Sequence, residues 1–486
     1  MRRTVLLSLL LAAAVDTFAG TGRIIIVNND QAGVGFNDTT PATPVGGNTG
    51  TTLGQQRLNV FQRAAERWST MLETNVDILA QASFASIPGC DEESAILGQA
   101  APFTWQHSFA GAPQNDVWYP IALANKYAGV DLDPNSPDIF SRFNADVDNA
   151  TCLGESNWYY GFDGNNGIHS DLYVVVLHEL GHGLGVAGPI RAPAFRQNRP
   201  SVFDQNMYDS QAGLRWTQMT EAARNVSMTN TGNLAWQGSN VTANLSRFLQ
   251  PVTILTLSEP SPIAKNYDVG FADFGRNVSR GGLSGTIIRV TDPSNTDGSS
   301  VNDGCSPFTN AAAVNGNVAF IDRGNCTYAI KARNAQAAGA TGVIIGDRFE
   351  SYNAENPATC LPPGMTDNGS APDVTIPIVS VGINDASSIR AQYNINSSVT
   401  VSGLLRMDPS QLAGTTKEGY LRLYAPCTND PGSSTHHWDT VATPNLLMEP
   451  AVNSDLLLGV DLTIYQLLDM GWSLPAKTGR RILKRH

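Results

Sequence analysis

With 486 residues the chain is longer than a single core requires, so two or more domains are expected. Hydrophobic residues at 42% against 15% charged count against a disordered polymer. The excess of 43 acidic over 31 basic residues, a net charge of −12, counts against nucleic acid or an anionic membrane as partner. Arg2 and Arg3 precede the short apolar run Val5 to Val15, and Thr17-Phe18-Ala19 ends on a small residue, the pattern of a signal peptide over 1–19. That run is too short to span a bilayer, and no later stretch is long and apolar enough. A secreted, extracellular product is expected, with a periplasmic or surface-associated location as the variant.

Gly22 to Val27 reads as a first strand. Leu58, Phe61, Ala65, Trp68 and Leu72 recur at steps of three and four, one face of an amphipathic helix, and Val76, Ile78, Ala80, Ala82 and Phe84 then alternate as a half-buried strand. Asp171 to Leu184 reads as a helix apolar almost all round, hence buried, with Ser170 as its N-cap. From about Leu255 the character of the chain changes. Val318 to Asp322 is a strand, Tyr328 to Ala338 an alanine-rich helix stopped by Gly339, and Gly342 to Gly346 and Ile376 to Val381 are further strands. After Gly403 the chain resembles its first part again, with a last helix over Leu462 to Met470 and a basic tail, 476–486.

Six cysteines in a chain with a secretion pattern suggest disulfides, whose connectivity the sequence leaves open. Proximity favours Cys90–Cys152 and Cys305–Cys326, and elimination then gives Cys360–Cys427. No CxxC spacing suggests a thiolate metal site.

His178-Glu-Leu-Gly-His182 carries the chemistry. On a helix, positions i and i+4 share a face, so two imidazoles converge on one ion. Glu179 beside the first ligand can take a proton from a zinc-activated water and pass it to the departing amine. Gly181, Gly183 and Gly185 would be costly in an ordinary buried helix, so close backbone packing is expected, with a helix end at Gly185. Structural zinc usually has four protein ligands, often Cys; a catalytic site needs one more ligand here and an open position.

HExxHxxG at 178–185 resembles the metzincin metallopeptidases, in which the glycine turns the chain and a third His follows three residues later. Here that position is Gly188. The segment Gly432-Ser-Ser-Thr-His-His-Trp-Asp, continuing to Leu446-Leu-Met448-Glu-Pro, resembles the leishmanolysin-like branch, in which an insertion separates the glycine from a third His followed by Trp and a Met-turn. The resemblance covers roughly 20–250 and 405–475. It implies His437 as third zinc ligand and Met448, 11 residues further on, as the methionine beneath the site. His436 is the nearest rival ligand and Asp204 a weaker one.

Residues 255–404 resemble a protease-associated (PA) domain, on Gly304-Cys-Ser-Pro, Val318-Ala-Phe-Ile-Asp-Arg-Gly-Asn-Cys-Thr, Lys331 to Ala340 and Gly342-Val-Ile-Ile. That family implies a non-catalytic insert concerned with substrate access or protein contact. No Gly-Thr-Ser-Met-Ala segment of the subtilisin-like proteases, which also carry PA domains, is present. The architecture expected is therefore α+β: a metzincin-like catalytic domain, a twisted sheet plus zinc-binding helix, with its first part at 20–250 and its second at 405–475, split by an inserted α/β PA domain.

The function expected is that of a secreted endopeptidase with one catalytic Zn2+, acting on proteins or peptides, of open oligomeric state. The alternative is a catalytically inactive secreted or surface binding protein presenting a PA domain, which would have no use for Glu179. Asp131-Leu-Asp-Pro-Asn135 begins like a calcium loop but has Ser136 and Arg142 where Gly and Glu are needed, so it reads as a solvated turn. Ca2+ is compatible with a secreted protease, yet no residues are assigned to it. Asn37, Asn149 and Asn240 begin Asn-x-Ser/Thr sites, relevant only where the source glycosylates.

Overall fold

The computed structural model describes residues 22–475 apart from 93, 189–195, 279–281, 294–299, 352–358, 367–370, 453–455 and 457–458. The signal-peptide pattern at 1–19 and the tail at 476–486 lie outside the described residues. A short strand, β1 (Ile24–Asn28), leads to helix α1 (Leu53–Ser69), whose N-cap Thr52 accepts from the N–H of Gln55. Phe61, Ala65 and Trp68 of the expected stripe are buried. Strand β2 (Ile78–Ala85) alternates buried and half-buried residues, as its period-2 pattern requires.

Strand β3 (Gly98–Pro102), helix α2 (Ile121–Ala128) and strand β4 (Ile139–Asn144) follow. The sheet runs β1-β2-β4-β3, with β1, β2 and β4 parallel and β3 antiparallel on the outside. Helix α3 (Leu172–Gly183) is the expected buried helix. Its N-cap is Asp171, not Ser170: the Asp171 carboxylate accepts from the N–H groups of Tyr173 and Val174, while Ser170 pairs in a short ladder with Trp158. The turn at Asp131–Asn135, expected to be solvated, is half-buried at its start, where Asp131 accepts from the Asn125 side chain.

Strands β5 (Met207–Asp209), β6 (Leu214–Arg215) and β7 (Leu234–Trp236) begin a second, small sheet. The chain then enters a separate layered unit. Its strands are β8 (Pro251–Glu259), β9 (Asn266–Asp268), β10 (Gly270–Phe271), β11 (Leu283–Arg289), β12 (Val318–Asp322), β13 (Gly342–Gly346), β14 (Ile378–Val381) and β15 (Val401–Leu412), in the order β9-β8-β15-β11-β12-β13-β14-β10. Strands β11 to β14 are parallel. They are covered on both faces, as parallel sheets require. Phe320, Ile344 and Val379 join a core with α5 (Ile383–Ile395), and Ala319, Ile321, Val343 and Ile345 join another with α4 (Tyr328–Ala337). The sheet begins before residue 255 and ends after 404, because β8 and β15 pair along almost their whole length.

Beyond Leu412, strand β16 (Leu421–Arg422) completes the small sheet, in the order β6-β5-β7-β16, and helix α6 (Thr463–Met470) closes the described chain. One hydrophobic core gathers α1, α3 and the first sheet together with Leu421, Trp438, Met448 and Trp472. The disulfides are Cys90–Cys152, Cys305–Cys326 and Cys360–Cys427, the three pairs expected. The whole is a mixed α/β structure. Among the described residues no helix is long and apolar enough to cross a membrane.

Candidate metal centre

Helix α3 sits in the middle of its core, and its C-terminal turn carries the two spaced histidines. The turn can pack closely because its glycines lack side chains: a Cβ on Gly181 would come 2.9 Å from Met448 Sδ, and one on Gly183 would come 2.4 Å from Ile139 Cγ2. Gly185 ends the helix at φ 124°, a backbone state L side chains avoid. The reversal it allows returns the Val186 carbonyl to His182, whose Nδ1 donates to it at 2.6 Å. The indoles of Trp68 and Trp472 donate to the Leu177 and Leu184 carbonyls, fixing the helix from two sides.

His437 approaches from the segment after the eight-stranded unit. Its Nδ1 donates to the Ser433 carbonyl at 2.7 Å, and His178 Nδ1 donates to the Leu447 carbonyl at 2.6 Å. Each of the three Nδ1 atoms therefore carries the ring proton, because a carbonyl oxygen only accepts. Burial, reinforced by the neighbouring imidazoles, holds His178 down at about 3 and pushes His437 well below its ordinary value; burial alone takes His182 to about 4. The rings are thus neutral and their Nε2 atoms are bare acceptors.

Those three Nε2 atoms face one another at 3.1, 3.1 and 3.2 Å. No hydrogen is available to lie between them, so the arrangement is electrostatically adverse unless a cation is shared. A triangle of that side puts each nitrogen about 1.8 Å from its centre, close to the usual zinc–imidazole distance of about 2.0–2.1 Å, so the three side chains would suit such an ion. Among the described residues His178, His182 and His437 are the group of side chains able to hold a metal. Three neutral imidazoles suit zinc, and each is oriented by a carbonyl on its far nitrogen.

Neither rival ligand joins that group. The His436 ring rests against Phe203, with centroids 5.2 Å apart, and Asp204 accepts from Ser201 N–H and Oγ. Met448 is fully buried beneath α3, with its carbonyl accepting from Trp438 N–H at 2.7 Å. Glu179 is buried beside the triad. Burial pushes its carboxyl up to about 8, opposed by the Ala100 N–H that donates to it. Strand β3 thus passes directly over Glu179, and Gly98 leaves room for it. Sequence reasoning missed β3 and the three orienting carbonyls, because backbone partners leave no residue-type signal.

Two family matches accompany this geometry. Residues 295–389 match the PA domain, and residues 46–238 match a family described as SPBPB7E8-like. A PA domain is therefore present, in the C-terminal half of the chain; the comparisons do not show it as an insertion, and neither match is to a leishmanolysin-like family. ER degradation-enhancing alpha-mannosidase-like protein 3 of Xenopus laevis is 34% identical over 133 residues, 27% of this chain and 13% of that protein. Vacuolar-sorting receptor 1 of Pisum sativum is 28% identical over 160 residues, 31% of this chain and 24% of the receptor. Aminopeptidase YwaD of Bacillus subtilis is 41% identical over 81 residues, 17% of this chain and 16% of the enzyme. The chain spans under a quarter of the length of each of these relatives. A solved zinc aminopeptidase from Bacillus subtilis is similar over 35% of this chain and 36% of its own, at 19% identity and a TM-score of 0.23, a likeness too slight to carry an argument.

Proposed function

We propose that this chain is a secreted zinc-dependent endopeptidase of the leishmanolysin-like metzincin type, in which the PA domain interrupts the catalytic domain between the zinc helix and His437. The observation that carries the reading is the triad of proton-free Nε2 atoms with Glu179 adjoining it. His178, His182 and His437 would hold the ion, Met448 would lie beneath it, and Gly185 would shape the turn. Zinc bound there would supply Lewis-acid activation of water and of the scissile carbonyl. The protein's own part falls to Glu179, which takes the proton of the attacking water and delivers it to the departing amine. A carboxyl that burial raises, and that a bound cation would draw down, would be matched to both tasks.

The outer position of β3 favours an endopeptidase. A strand paired on one side alone can take an extended peptide on its other edge by main-chain hydrogen bonds, independently of the peptide's ends. Three disulfides support an oxidising compartment, lumenal or extracellular. The runner-up, an inactive protein presenting a PA domain, is favoured by the similarity to vacuolar-sorting receptors, which touches only part of the chain. The retained Glu179 weighs against it.

Zinc content and cleavage of peptides blocked at both ends, with and without a chelator, test the reading. One equivalent of zinc and chelator-sensitive internal cleavage are expected. Release of single residues from free amino termini alone would make the chain an aminopeptidase. Hydrolysis unchanged in Glu179→Ala would overturn the mechanism.

A further inference from the structure

The segment Leu421–Cys427 lies between the third histidine and the eight-stranded unit. On one side Leu423 N–H donates to the Leu234 carbonyl of β7. On the other it forms a ladder with the stretch that carries His437: Tyr424 N–H donates to the His437 carbonyl at 2.8 Å, Thr435 N–H to the Tyr424 carbonyl at 2.8 Å, and Asp439 N–H to the Arg422 carbonyl at 3.1 Å. The same segment is tied to the eight-stranded unit near both ends. At Arg422, a side chain only 12% exposed, Nη1 reaches the Asp268 carboxylate of β9 at 2.5 Å. At the other end Cys427 is disulfide-bonded to Cys360, and its N–H donates to the Thr359 carbonyl at 2.9 Å. The Arg422 guanidinium also acts on buried Asp439, two residues past His437.

We propose that the eight-stranded unit holds the third metal ligand in place, with Arg422 as a positioning residue that carries the Asp268 anchor to the His437 ladder. This inference rests on the zinc reading of the triad. A ladder transmits position well because its hydrogen bonds fix register along the strand, and two anchors remove the slide and the tilt that a single one would permit. The unit then does more than fold beside the site: its docking sets the geometry of His437, while His178 and His182 are set by α3.

The test uses the full chain and variants of the anchors alone, none of which touches the triad. Asp268→Asn breaks the ion pair while keeping the shape, and Cys360→Ser with Cys427→Ser removes the other tie. Each is measured for zinc affinity by chelator competition, for the visible spectrum of the Co2+-loaded protein, and for thermal midpoint. The control is Asp373→Asn, which breaks the exposed Arg333–Asp373 pair elsewhere in the same unit. Zinc affinity about 10-fold weaker and altered cobalt bands are expected for Asp268→Asn and for the cysteine pair, on the scale of lost outer-shell support. Native values are expected for the control, and Arg422→Lys, which keeps the charge, should retain most of the affinity. Native affinity and native cobalt bands in both anchor variants would overturn the proposal; if one variant fails to fold, the other decides. A wild-type chain that takes up no zinc would instead sink the reading on which the inference rests.

Discussion

Gly98 and Glu179 lie so close that a Cβ on the glycine would stand 2.9 Å from Glu179 Cγ and 3.1 Å from its Oε1. The edge strand and the carboxyl share that space because residue 98 has no side chain. Gly98→Ala should therefore displace Glu179 by a few tenths of an ångström without reaching any of the three histidines. A misplacement of about 1 Å can cost ~100-fold, so this smaller shift is expected to cost up to about 10-fold in kcat/KM, with zinc content unchanged. Steady-state kinetics and metal analysis check this. A native kcat/KM would show that the Glu179 position does not govern turnover.

His437 and His436 are neighbours in sequence and part company in space. The Nε2 of His437 is 3.1 and 3.2 Å from those of His182 and His178, whereas His436 packs on Phe203. Dialysed His437→Ala should lose most of its zinc, a larger effect than the ~10–100-fold of an outer-shell change. His436→Ala should keep a full equivalent. The reverse result would move the third ligand by one residue.

The periodic elements were the legible ones. The stripe Phe61, Ala65, Trp68 and the alternation Ile78 to Phe84 each have a single consistent reading, since burial on one face repeats at a fixed step. The HExxH helix was legible for the same reason, because its ligand spacing is a local property. The candidate ligand His437 is marked in the sequence by the Trp and Met that follow it, not by any periodicity. What escaped was long-range pairing. Strand β3 reads Gly-Gln-Ala-Ala-Pro, with no β-branched residue to announce a strand, and it exists because β4 offers it an edge. Strand β15 crosses the expected boundary at residue 404 because its register with β8 lies outside any local window. Ser170 was displaced as N-cap by its pairing with Trp158, again a partner distant in sequence.

Gly183 faces Ile139 of β4, where an added Cβ would come 2.4 Å from Cγ2 and 2.9 Å from Cδ1. Two effects oppose one another in Gly183→Ala. Alanine is favoured over glycine within a helix by about 1 kcal/mol, while overpacking a tight core costs about 1–3 kcal/mol. Ile139 is fully buried and has nowhere to retreat, so the clash wins. A net loss of about 1 kcal/mol is expected, seen as a lower denaturation midpoint at an unchanged slope. Ile139→Ala, which removes both Cγ2 and Cδ1, should cost less beside Gly183→Ala than it does alone. Losses that simply add would show that the contact is not the cause.

Asp138 supplies a pH dependence with a definite sign. Its carboxyl is buried at the head of β4, where it accepts from Leu79 N–H at 2.7 Å and from the Asn125 side chain at 2.8 Å. Burial raises it from 3.8 to about 6, outweighing the Leu79 bond and assisted by Asp131 and Asp133. Between those values the folded chain holds a proton that the unfolded chain has released. The contribution is thus fully present below about pH 4 and is lost as pH rises through about 6, on the order of 3 kcal/mol. Asp138→Asn cannot ionise and keeps an acceptor for Leu79. The stability of the natural chain relative to this variant should therefore fall from pH 4 to pH 7, measured by denaturant unfolding at each pH. Asp171, also raised to about 6, is present in both chains, so its contribution cancels in the difference. A difference flat across that range would mean that Asp138 is ionised at both ends of it, and that its two hydrogen bonds outweigh its burial.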